Sequence, residues 1–70
     1  MTNTELLKQV IDESGLKLSS LAEKIGISRD ALYRKINNKT AFNQYEIDDL
    51  CRVLGITSLK KKDEIFFAKM

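Results

Sequence analysis

The sequence contains no histidine, no proline and a single cysteine in 70 residues. One cysteine cannot close an internal disulfide, so nothing points to an oxidising compartment. Metal sites usually need clusters of cysteine, histidine or carboxylate at set spacings, and the sequence shows none. Neither metal nor cofactor is expected. No apolar run approaches the roughly 18 residues needed to span a bilayer. The opening Met1-Thr2-Asn3-Thr4-Glu5 is polar and unlike a signal peptide, so a cytoplasmic protein is expected. No repeat or low-complexity stretch divides the chain, which reads as one domain over residues 1–70. A core of this size is small, and pairing with a second copy is a common remedy.

Glycine is also scarce. Gly15, Gly26 and Gly55 each follow an amphipathic pattern and read as its terminator. Leu6, Leu7, Val10, Ile11 and Ser14 form the stripe of a first helix, capped by Thr2 or Asn3. Leu18, Leu21, Ala22 and Ile25 mark a short second helix. Ser28 offers a cap for a third, anchored by Leu32 and Ile36. Asn43, with Glu46 three residues on, opens a fourth helix striped by Ile47, Leu50, Cys51 and Leu54. A fifth starts near Ser58 and carries Leu59, Ile65 and Phe66. The expected fold is all-α, a compact bundle of five short helices.

The net charge is only +2, but its distribution is uneven. Residues 17–39 hold six basic side chains against two acidic ones; the remainder holds six against eight. That asymmetry suggests an anionic partner at one surface. The same stretch has the requirements of a helix-turn-helix. Two helices joined by a tight turn cross closely. Ala22 supplies the small residue at the crossing, and Gly26 supplies a residue tolerant of positive φ. With Leu32 pointing inward, Asp30, Arg34 and Asn37 fall on the far side, Tyr33 on a flank and Arg29 in the first turn. Such side chains can read the donor and acceptor pattern of base edges. Lys35 and Lys39 flank them and suit phosphates.

Leu21-Ala22, Gly26, Ile27-Ser28, Leu32 and Ile36 together resemble the helix-turn-helix of phage repressors and Cro-like regulators, the lambda-repressor-like domains. The resemblance runs on through Asn37-Asn38-Lys39-Thr40 to Leu54-Gly55-Ile56. It is especially similar to small phage-associated regulators with an Asn-Lys-Thr-x-Phe loop and an Ile-Phe-Phe tail. It implies base contacts from Arg29, Asp30, Tyr33 and Arg34, and a backbone clamp from Lys17, Asn38, Lys39 and Thr40. Many members begin the second helix with Thr-Gln. Here Lys17-Leu18 stands instead, leaving Lys17, Ser19 or Ser20 to meet phosphate. The resemblance also implies a repressor acting on double-stranded operator DNA.

Competing readings remain for several of these residues. Asp30 and Arg34, four apart, can form an ordinary surface pair. Cys51 reads as a buried small hydrophobe. Phe66 and Phe67 are adjacent, so they cannot both face one core. The tail around Ile65, Phe66 and Phe67 is therefore the expected dimer interface. The other function considered is a protein-binding antirepressor that reuses the fold without DNA. Enzymatic chemistry finds no support, since Asp48 and Asp49 are helix neighbours that diverge and no converging acid-base pocket is apparent. No small-molecule substrate is expected.

Overall fold

The computed structural model describes residues 1–69. Five helices and no strand occur among them: α1 (Thr4–Ser14), α2 (Leu18–Ile25), α3 (Arg29–Ile36), α4 (Gln44–Leu54) and α5 (Leu59–Phe66). Local chemistry sets most of the boundaries. Asn3, rather than Thr2, caps α1, its side chain accepting from the Leu6 amide. Ser28 caps α3 by accepting from the Ala31 amide at 3.1 Å. Asn43 and Glu46 form a full capping box on α4. Ser58 caps α5. Gly26 closes α2 at φ 77°, a left-handed turn that a side chain would strain. Gly15 and Gly55 end α1 and α4 in the same way.

Each helix sends one fully buried side chain to a common core: Leu7, Leu21, Leu32, Leu50 and Ile65. Val10, Ile11, Ala22, Ile25, Ile36, Ile47, Cys51 and Phe66 complete it. Ala22, 1% exposed, lies where α2 packs against α3 and α4. Burial pushes the Cys51 thiol up from its ordinary pKa, with nearby Lys62 opposing and Asp48 adding to the shift. Phe66 meets Phe42 edge to face, with ring centroids 5.6 Å apart.

Three expectations are corrected. Ser14 and Leu59 do not join the apolar stripes. Ser14 is exposed and its hydroxyl donates to the Ile11 carbonyl, while Leu59 is 79% exposed at the start of α5. The third correction concerns the tail. Ile65 and Phe66 are both consumed by the monomer's own core, at 0% and 4% exposure. Of the three tail residues assigned to a dimer interface, only Phe67, 54% exposed, faces outward.

The chain's first residues form a strap across two helix ends. The Asn3 amide donates to the Ile65 carbonyl at 2.6 Å, and the Ala68 amide donates to the Met1 carbonyl at 2.9 Å. The Thr4 hydroxyl donates to the Ile36 carbonyl at 2.6 Å, satisfying an acceptor at the C-terminal end of α3.

Candidate nucleic-acid interface

The candidate interface begins with how α3 is held. Leu32 and Ile36 are 0% and 2% exposed, so one face of the helix is fixed to the core. The opposite face is free. Arg29, Asp30, Tyr33 and Arg34 are all exposed. The ion pairs among the described residues are Lys35–Glu46, Arg52–Asp49 and Lys62–Asp48. The surface pair considered for Asp30 and Arg34 does not form. Both guanidinium groups therefore keep their donors available, and a guanidinium fork suits a guanine edge. Asp30 lies in the first turn, where a carboxylate complements the helix dipole.

The expected phosphate contacts divide. Lys17, Ser19, Lys39 and Thr40 are exposed. Lys17 occupies the cap position of α2 without a side-chain cap bond, as the missing Thr-Gln pair foreshadowed. Leu18 there is half-buried against the core. Lys39 extends from a loop folded back on α3, its amide donating to the Arg34 carbonyl at 2.8 Å.

Lys35 and Asn38 do not behave as free phosphate contacts. The Lys35 ammonium donates to Glu46 Oε1 at 2.9 Å and to the Ala41 carbonyl at 3.1 Å. The Lys35 side chain is only 17% exposed. Asn38 takes a left-handed backbone at φ 62° and turns its amide onto the backbone of Thr2. Asn37, placed on the outer face by the helical wheel, is half-buried and donates to the Tyr33 carbonyl at 2.9 Å. Both Lys35 and Asn38 have partners far along the chain, so the local pattern carried no sign of them. Glu46 was legible as a helix cap but not as the partner of Lys35.

No three of the described His, Cys, Asp or Glu residues come together to hold a metal ion. Asp48 and Asp49 point to different cations, Lys62 and Arg52. Among the described residues no helix is long and apolar enough to cross a membrane. The arrangement offers instead an anchored helix with an open polar face, flanked by lysines.

No curated protein and no solved structure matches the chain. A family model does, over residues 6–58, which takes in all but the first two residues of α1, the whole of α2, α3 and α4, and the turn before α5. That span covers most of the chain and contains the whole α2–turn–α3 unit, so the chain belongs to the Cro/C1-type HTH DNA-binding domain family.

Proposed function

We propose that this protein is a sequence-specific transcriptional regulator, a repressor of the phage or prophage kind, that reads operator DNA with α3. Arg29, Asp30, Tyr33 and Arg34 meet base edges in the major groove. Lys17, Ser19, Lys39 and Thr40 meet the backbone. Two copies bind half-sites about one helical turn apart, roughly 34 Å, because one module contacts only part of a site. Of the tail residues Ile65, Phe66 and Phe67, Phe67 is the one left exposed to build the contact between copies. The protein works by occupancy of DNA, without a cofactor or a catalysed reaction.

The observation that carries this reading is the state of the two α3 arginines. Both stand exposed and unpaired on a helix whose other face is locked into the core. Neither guanidinium is tied to a neighbouring carboxylate, so both can donate to a base edge without first breaking an ion pair. The test is selection of bound sequences from random duplexes at two salt concentrations. Enrichment of palindromic sites with a steep salt slope is expected. Absence of binding at low salt would overturn the reading in favour of a protein-binding role.

A further inference from the structure

Lys35–Glu46 differs from the other ion pairs in its burial. Its side chains are 17% and 11% exposed, against 69% and 40% for Arg52–Asp49 and 26% and 53% for Lys62–Asp48. It also does more than join two charges. Glu46 Oε1 accepts from both Lys35 Nζ and the Asn43 amide, each at 2.9 Å. The same ammonium donates to the Ala41 carbonyl. One carboxylate and one ammonium thus tie the last turn of α3, the 37–43 loop and the first turn of α4. At the loop's other end, Asn38 is fixed to Thr2. Between these two fastenings stand Lys39 and Thr40, both exposed.

A half-buried ion pair is weak evidence for stability, since desolvation offsets its attraction. What such a pair does well is fix a geometry. A loop left mobile would have to be ordered when it binds, and that entropy would be subtracted from affinity. We infer that Lys35 and Glu46 are positioning residues for DNA binding: they clamp the 37–43 loop so that Lys39 and Thr40 meet the phosphate backbone in register with Arg29 and Arg34. The inference rests on the reading of α3 as the DNA-reading helix. It assigns Lys35 an action through Lys39 instead of a phosphate of its own.

The test uses a mixed-sequence duplex of about 20 base pairs at low salt, because phosphate contacts are independent of sequence. Affinity is measured by fluorescence anisotropy for the unaltered chain, Lys39→Ala, Lys35→Met, their double variant and Glu46→Ala. Circular dichroism checks each fold. Methionine keeps the aliphatic stem of Lys35 and removes its charge. The expected result is that Lys35→Met weakens binding about fivefold or more, and that Lys39→Ala costs much less in that background than alone. Simple addition of the two losses overturns the inference, since a direct phosphate contact at Lys35 would add.

Glu46→Ala supplies an independent sign. Removing a negative charge from a protein that binds a polyanion should tighten binding by Coulomb's law alone. The clamp predicts weaker binding, and binding that is tighter or unchanged overturns it. If Glu46→Ala loses its fold, the Lys35–Lys39 cycle decides. Failure of the unaltered chain to bind any duplex overturns the reading of α3, and the clamp's role with it.

Discussion

The side-chain amide of Asn38 pairs with the backbone of Thr2 in both directions. Its Oδ1 accepts from the Thr2 amide at 2.9 Å and its Nδ2 donates to the Thr2 carbonyl at 2.8 Å, across 36 positions of sequence. The next peptide along, at Asn3, is bonded to Ile65. The end of α3 is thereby joined to the end of α5 through the first residues of the chain. Asn38 is the one described residue other than glycine with positive φ, a conformation that asparagine tolerates better than most.

Asn38→Ala removes both bonds to Thr2 and a longer one to the Thr4 hydroxyl, and leaves a Cβ in the left-handed region without the local compensation of an amide. A loss of about 1–3 kcal/mol is expected, from the unpaired groups and the strain together. Asn38→Gly should recover part of that loss, because glycine relieves the backbone but restores no bond. Urea denaturation of the three chains measures it. Equal stability of all three would show the pairing to be energetically silent.

Arg29→Ala and Arg34→Ala should each cost about 1–3 kcal/mol on a selected site and relax preference at one base pair. Lys39→Ala should weaken all duplexes alike and flatten the salt dependence by about one phosphate. Titrating matched and mismatched duplexes over a range of salt separates the two behaviours. Identical specificity profiles for the arginine variants and the parent would remove Arg29 and Arg34 from the base contacts.

The Cys51 thiol is held above its ordinary pKa of 9.0, first by burial. As pH rises through that value, the unfolded chain loses the proton while the folded chain keeps it. The unfolded state then binds fewer protons, so stability falls with rising pH until the folded thiol ionises too. Cys51→Ala should remove this portion of the alkaline slope, read as the difference between the two denaturation series. Near neutral pH the native thiol should also resist iodoacetamide and react readily once urea unfolds the chain. Equal rates in both states would contradict its burial.

Phe67 and Ile65 should respond in opposite ways to a charge. Phe67→Asp lies at an exposed position, so folding should change by no more than about 0.5 kcal/mol while self-association weakens. Ile65→Asp would place an unpaired carboxylate in the core and should prevent folding. Sedimentation equilibrium and thermal melts distinguish the two. If Phe67→Asp leaves the association constant unaltered, Phe67 is not the contact between copies.

Much of this architecture was legible from neighbours in sequence. Asn43 with Glu46, Ser28 before Ala31 and Gly26 after Ile25 act within one turn of chain, and the structure realises each of them. The exposed arginines of α3 were legible for the same reason, since Leu32 and Ile36 fix which way the helix faces. The partners of Lys35, Asn38 and Phe66 were not. Their partners lie 11 residues away for Lys35, 36 for Asn38, and 24 for Phe66, at Phe42. A helical wheel reports direction, but a long flexible lysine can turn back to an acid that the wheel does not contain.

Most helix boundaries, the inward direction of most apolar stripes and the basic helix after a tight turn are written in short stretches of chain. These follow from capping, glycine conformation and apolar spacing, all of which act over a few residues. Tertiary packing settled which cations stand unpaired at the surface and which, like Lys35, are held in an internal ion pair. It likewise chose Phe66 for the core and Phe67 for the surface. Those outcomes depend on groups brought together by packing, and no short-range rule contains them.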